Sequence, residues 1–169
     1  MIGVLSDTHD QVQYLERVIR FFNEREVRRV IHCGDWISPF NLRYFTELKA
    51  PIYGVFGNND GDKFAHARLA LQLDLDITMQ DQLLTIEREG IRMAVYHGTA
   101  PKLVDALVKC GDYDVVFYGH DHIATIEQVG SALKMNPGTF MAGGQGPSIG
   151  LFDPATRQGE IIPIATLGD

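Results

Sequence analysis

Short apolar runs alternate with amphipathic stretches over the first two thirds of the chain, a pattern typical of α/β folds. Ile2–Leu5 is apolar and predicts a first strand. Apolar residues recur at three- and four-residue spacing from Tyr14 to Phe22, which predicts an amphipathic helix over 11–24. The same reasoning predicts strands over 30–32 and 52–56 and helices over 39–48 and 63–73, with Ser38 capping the helix that Pro39 opens.

The second half of the chain is richer in β-structure. Glu89-Gly90 predicts a hairpin turn between antiparallel strands over 83–87 and 91–96. A helix over 101–109, capped by Thr99, and a strand over 115–118 are expected next. Short β-runs follow at 124–129, 133–136, 148–152 and 160–164. An α/β fold in which two mixed β-sheets pack face to face and are flanked by helices accounts for both halves.

Composition narrows the class of protein. The 169 residues suit one domain over 1–169, and 45% hydrophobic with 22% charged residues is typical of a globular protein with a buried core. A net charge of -7 without a basic cluster predicts no extended nucleic-acid surface. No apolar run reaches the roughly 18 residues that span a membrane, and the first run meets Asp7 too early for a signal peptide, so we expect a cytoplasmic protein.

Polar side chains follow five of the predicted strands, at the point where each strand ends. In layered α/β folds ligands bind beyond the carboxyl ends of strands, so these clusters are expected to meet at one edge. They are Ser6-Asp7-Thr8-His9, His32-Cys33-Gly34-Asp35, Gly57-Asn58-Asn59-Asp60, His97-Gly98-Thr99 and Gly119-His120-Asp121-His122.

The residue types in these clusters predict a metal site. Gathering imidazoles and carboxylates at one edge without a cation would bury repelling groups. Imidazole and carboxylate without thiolate suit manganese, iron, cobalt, nickel or zinc. Alternate-residue spacing in extended backbone would place Asp7 and His9 on one side, and would do the same for His120 and His122. The ligands are too many for one ion, and Asp35 could bridge two.

Two further histidines differ from these. His32 lies on the strand side of its cluster, where it is either a packed core residue or a member of the site. His66 lies in the predicted helix over 63–73, and we expect it at the surface or at the rim of the site.

Taken together, the five clusters resemble the calcineurin-like metallophosphoesterase superfamily, in which Asp-x-His, Gly-Asp, Gly-Asn, His-Gly and Gly-His-x-His blocks occur in this order. Asn136-Pro137-Gly138-Thr139 resembles the Asn-Pro-Gly-Ser element of the family's small single-domain phosphodiesterase branch. The resemblance implies a four-layer metallophosphoesterase-like sandwich that holds two divalent transition-metal ions. Manganese is the first expectation for these ions, and nickel, iron, cobalt and zinc are the alternatives.

The resemblance also implies the role of each residue. Asp7, His9 and His122 would hold the first ion. Asn58, His97 and His120 would hold the second, and Asp35 would bridge both. The implied reaction is hydrolysis of a small phosphodiester by attack of a metal-bridging hydroxide, with His9, Asp35 and Asn58 as catalytic residues.

One position departs from the family pattern. Many relatives have His where this chain has Asn59, and that His is thought to help protonate the leaving group. An amide cannot give up a proton in this way, so we expect a preference for acidic leaving groups such as phenols. Two alternatives remain open, a phosphomonoesterase acting on proteins or nucleotides and a protein-binding scaffold like the retromer subunit of this fold. Self-association into a homo-oligomer also remains open.

Overall fold

The framework of the protein is a pair of β-sheets, seen in a computed structural model that describes residues 1–168. Within these residues the first sheet has six strands, in the spatial order β11 (Gln158–Pro163), β10 (Ser148–Asp153), β1 (Ile2–Leu5), β2 (Arg29–His32), β3 (Ile52–Val55) and β4 (Ile77–Gln80). Strands β1, β2, β3 and β4 run parallel to one another, and β10 pairs antiparallel with both β1 and β11.

The second sheet has five strands in the described part of the chain, in the order β5 (Leu83–Arg88), β6 (Ile91–Tyr96), β7 (Val115–Phe117), β9 (Ala132–Asn136) and β8 (Thr125–Val129). The β5–β6 and β8–β9 pairs are antiparallel, whereas β6, β7 and β9 are parallel. The prediction of two mixed sheets is therefore confirmed, including the antiparallel hairpin.

Helices cover the outer faces of the two sheets. They are the α-helices α1 (Leu15–Glu24), α2 (Lys63–Gln72) and α3 (Pro101–Lys109) and the 3-10 segments Val12–Tyr14, Pro39–Glu47 and Ile164–Thr166. Three apolar layers result, one under α1 and α2, one between the sheets and one under α3. Phe117 and Phe152 meet edge to face between the sheets, with ring centroids 5.5 Å apart.

Three local predictions differ from the structure. Residues 39–47 form a 3-10 segment rather than an α-helix, because three residues per turn place Leu42 and Phe45 on one buried side. Strand β4 was not predicted, because its alternation rests on only Ile77 and Met79. Thr99 does not cap α3, because Ala100 occupies the N-cap position.

The topology gathers the ends of five strands. β1, β2 and β3 are parallel in the first sheet, and β6 and β7 are parallel in the second. The polar clusters follow these five strands and lie at one edge of the sandwich, where side chains of different clusters contact one another. None of the helices in the described chain is long and apolar enough to cross a membrane.

Candidate metal centre

Asp7 follows β1 and is fully buried. Its Oδ2 accepts hydrogen bonds from the Ser6 hydroxyl and, at 2.9 Å, from the His120 backbone N–H. Its Oδ1 has no hydrogen-bond partner among the described residues. A buried carboxylate oxygen without a partner costs about 1–3 kcal/mol or more, and a bound cation would remove that cost.

Two imidazoles face the free oxygen of Asp7. The Nε2 atoms of His9 and His122 are 3.1 Å apart, and they lie 3.6 and 3.2 Å from Asp7 Oδ1. These three ligand atoms converge on one point, as the ligands of one ion must. We call Asp7, His9 and His122 the first group.

His97 is at the centre of a second convergence. Its Nδ1 is 2.8 Å from the Cys33 carbonyl oxygen, to which only a protonated Nδ1 can donate. In the neutral ring, Nε2 then carries a lone pair, and this atom faces Asn58 Oδ1 at 3.0 Å and Asp35 Oδ1 at 3.4 Å. A lone pair that faces two acceptor oxygens is repelled by both unless a cation lies between them. The His120 ring is beside His97, with centroids 5.2 Å apart; we call Asn58, His97 and His120 the second group.

Asp35 lies between the two groups. Its Oδ1 is 3.4 Å from His97 Nε2, and its Oδ2 is 3.4 Å from His9 Nε2. Asn59 holds both oxygens, through its backbone N–H at 3.0 Å and its side-chain amide at 2.7 Å. Asn59 is thus a hydrogen-bond donor to the carboxylate that faces both groups.

Asp60 fixes the backbone that carries Asp35. It is buried, and its carboxylate accepts the backbone N–H groups of Asp35 at 2.9 Å, Gly57 at 2.7 Å and Ile37 at 2.8 Å. With both oxygens used in this way, Asp60 positions the loop and is not aimed at either group.

Much of the centre has left-handed backbone. Five of the seven predicted ligands have positive φ, between 43° and 77°; they are Asp7, His9, Asp35, His120 and His122. Such conformations are uncommon outside glycine and concentrate at functional sites. The expected extended geometry is therefore wrong. The left-handed turns send the His120 ring beside His97 and the His122 ring beside His9.

Glycine permits the close approach of the loops. A Cβ at Gly119 would collide with the side chains of Ser6 and Asp7, and one at Gly57 would collide with Asp35. Any larger residue at these two positions would displace a predicted ligand.

Comparison with known proteins identifies the family. The sequence matches the calcineurin-like phosphoesterase superfamily domain over residues 1–157. The chain belongs to this family. It is 34% identical to phosphodiesterase MJ0936 of Methanocaldococcus jannaschii over 158 residues, which cover 93% of this chain and 95% of that protein. It is 25% identical to phosphodiesterase YfcE of Escherichia coli K12 in an alignment of 179 positions, which covers 97% of this chain and 90% of the relative.

Solved structures agree with this membership. A structure of an archaeal phosphodiesterase superposes with a TM-score of 0.89 at 33% identity, over 95% of this chain and 98% of that one. A single mutant of Vps29 from Entamoeba histolytica superposes with a TM-score of 0.66 at 15% identity, over 95% of this chain and 97% of that one. The second likeness shows a shared fold alone.

The Asn-Pro-Gly-Thr element of this phosphoesterase ties its ligand loops together. The Asn136 amide donates to Asp121 Oδ1 at 2.7 Å, which steadies the backbone between His120 and His122. The Thr139 hydroxyl donates to the Asp7 carbonyl oxygen at 3.0 Å. The sequence motif identified this element, but its contacts join residues that are 15 and 132 positions apart.

Burial and neighbouring groups shift the pKa values of Asp7 and His9. Burial would raise the pKa of Asp7, but bonds from Ser6 and the His120 backbone, together with nearby His9, outweigh it and hold that pKa below its usual range. His9 Nε2 is 3.6 Å from Asp7 Oδ1, too far for a hydrogen bond, so His9 acts on Asp7 as a nearby charge. In turn, Asp7 raises the pKa of His9.

The remaining candidates lie in the core. His32 is fully buried and stacks on Trp36 with ring centroids 3.5 Å apart, and burial lowers its pKa to about 3. The Trp36 indole donates to the Val55 carbonyl oxygen at 3.0 Å, so it is a core anchor. The expectation that His66 lies at the surface is wrong. Its side chain is fully buried against Phe56, because helix α2 turns this face inward.

Proposed function

We propose that this family member is a phosphodiesterase that hydrolyses small phosphodiesters with two divalent transition-metal ions, manganese first among them. The supporting observation is the placement of Asp35, whose two carboxylate oxygens face the two ligand groups at 3.4 Å each. The partnerless Asp7 oxygen and the lone pair of His97 are both explained by bound cations. Homology to proteins named as phosphodiesterases supports the same reaction.

In this proposal the first group and the second group each hold one ion, and Asp35 contacts both. When bound, the two ions would supply a charge of +4 against about -2 from Asp7 and Asp35, and would lower the pKa of water toward about 7 so that a bridging hydroxide is available. The positive excess attracts a phosphodiester anion even though the whole chain carries a net charge of -7. His9 lies at the open side of the centre, with 16% of its side chain exposed, where its ring edge can face a phosphoryl oxygen.

Proton transfer to the leaving group limits the choice of substrate. Hydrolysis forms a bond from phosphorus to a water-derived oxygen and breaks the bond to the leaving oxygen. The Asn59 amide is occupied by Asp35 and has no proton to give. The leaving group therefore departs as an anion and takes a proton from water, which favours phenols over aliphatic alcohols.

The test is a reconstitution of metal-free protein with manganese, nickel, zinc or magnesium, each assayed on bis(p-nitrophenyl) phosphate and p-nitrophenyl phosphate. We expect the diester to be hydrolysed faster, and fastest with manganese. Faster hydrolysis of the monoester would favour the phosphomonoesterase alternative. Folded protein that is inactive with every ion would favour the scaffold.

Asp35→Asn tests the bridge, with Asp112→Asn as the matched change at an exposed acid outside the centre. We expect Asp35→Asn to lower turnover at least a hundredfold and the bound metal from two equivalents to one. Asp112→Asn should change neither. Full turnover and full metal content in the folded Asp35→Asn protein would contradict the bridging role.

A further inference from the structure

A cavity of about 250 Å³ opens beside the second group. Asn58 and His97 line one side of it, and Lys63, Asp81 and Thr99 lie among its other walls. Pockets for drug-sized ligands occupy roughly 300–1,000 Å³, so this cavity suits one small substituent. A diester with its phosphorus at the proposed centre would place one of its organic groups here.

A pair of hydroxyls leaves one hydrogen available to a ligand in this cavity. The Tyr96 hydroxyl accepts the Ala100 N–H at 3.0 Å and lies 2.9 Å from Thr99 Oγ1. One hydrogen suffices for the bond between the two hydroxyls. Tyr96 is buried and Thr99 exposed, so donation by Tyr96 avoids a buried unpaired hydrogen. Thr99 keeps its own O–H for a ligand.

Lys63 supplies a cation at the same cavity. Its ammonium group contacts the Asp81 carboxylate and lies 5.6 Å from the centroid of the Phe56 ring. The ammonium has three hydrogens, and its bond to Asp81 uses one of them. The Lys63 and Asp81 side chains are 45% and 65% exposed, and exposed ion pairs contribute only about 0–1 kcal/mol. A bound anion can therefore contact Lys63 together with Asp81, or can take the place of Asp81 as the partner of the ammonium group.

We propose that this cavity is a substrate subsite that binds an anionic substituent, a carboxylate or a phosphoryl group, carried on one of the two organic groups of the diester. Lys63 and Thr99 donate hydrogen bonds to the anion, and the negative charge of Asp81 repels it. The inference rests on the proposed function, because the phosphodiester bound at the centre determines which group reaches the cavity.

The kinetic test compares p-nitrophenyl diesters whose second group is butyl, 3-carboxypropyl or 3-phosphonopropyl. The measured quantity is kcat/KM for each anionic ester divided by kcat/KM for the butyl ester. We expect Lys63→Met to lower this ratio about two- to fivefold, Thr99→Val to lower it less, and Asp81→Asn to raise it. Lys109→Met, a matched loss of charge outside the cavity, should leave the ratio unchanged. The carboxyl and phosphonyl arms identify which anion is preferred.

A binding measurement separates failure of the subsite from failure of the proposed function. Calorimetric titration of the manganese-loaded protein with 4-phosphonobutyrate and with butylphosphonate needs no turnover. We expect Lys63→Met to weaken the binding of 4-phosphonobutyrate about two- to fivefold relative to the binding of butylphosphonate. If wild-type protein cleaves none of the esters, the proposed function fails and this titration still decides the subsite. Equal ratios for Lys63→Met and Lys109→Met, or a lower ratio for Asp81→Asn, would overturn the subsite.

Discussion

His32 makes folding sensitive to acid through a single buried ring. Its side chain is fully buried, and its Nδ1 accepts the Gly34 backbone N–H at 3.1 Å. Nε2 is then the protonated nitrogen of the neutral ring, and it lies 3.3 Å from Thr8 Oγ1. Burial lowers the pKa of His32 to about 3, so the folded protein keeps this ring neutral down to low pH.

The size of the effect follows from proton linkage. In the unfolded chain the pKa of His32 is about 6.5, so below that pH the ring binds a proton in the unfolded state but not in the folded state. Stability is therefore lost as the pH falls from about 6.5 toward the folded pKa of about 3. At pH 5 the loss from His32 alone is about 2 kcal/mol relative to pH 7.5. This figure is insensitive to the folded pKa as long as that value is well below 5.

Urea denaturation of the metal-free protein at pH 7.5 and pH 5 measures this loss. His32→Gln lowers stability at both pH values, because it removes the ring that stacks on Trp36. We expect its further loss between pH 7.5 and 5 to be about 2 kcal/mol smaller than that of wild type. Thr8→Val is the control, since it removes the partner of Nε2 but keeps the buried ring and the pH effect. Equal losses in wild type and His32→Gln would refute the argument.

Three further predictions concern the centre. Asp60→Asn places an amide against three backbone N–H groups, so it should lower both the free energy of unfolding, by about 1–3 kcal/mol, and the turnover. A variant with unchanged stability and unchanged turnover would refute the positioning role of Asp60. Asn59→His should raise the ratio of the hydrolysis rates of alkyl and aryl phosphodiesters at least tenfold, since general-acid catalysis typically contributes about 10²–10⁴-fold. An unchanged ratio would show that residue 59 does not determine the preference for acidic leaving groups. Manganese at a hundred times the Kd of each site should stabilise wild type by about 2.7 kcal/mol per ion, and Asp7→Asn should abolish the share of the first ion in thermal denaturation. Equal stabilisation of both proteins would place that ion elsewhere.

Local patterns carried much of the fold. The strand Ile2–Leu5 and the helices α1 and α3 were predicted to within a few residues, because burial of one face imposes a spacing that is visible in the sequence. Where that spacing is weak, prediction failed. β4 has only two apolar positions, and the 3-10 segment Pro39–Glu47 differs from an α-helix by a fraction of a residue per turn.

The chemistry of the centre was also visible in the sequence, because a metal site needs particular ligand types and these follow the apolar runs directly. Residue spacing alone did not separate His120 from His122, which the family resemblance assigned to different ions, because their separation depends on left-handed backbone at both residues. The role of Thr139 was likewise hidden, because the partner of its hydroxyl is 132 positions away.

The sequence by itself determined which segments are buried and which side chains are available as ligands, because both follow from residue type and short-range spacing. Only the tertiary structure decided which ligand faces which, that Asn59 binds Asp35, and that Lys63 and Thr99 border one cavity. Those relations arise where separate strands and loops are packed against each other, and no short-range pattern in the chain encodes the distances between them.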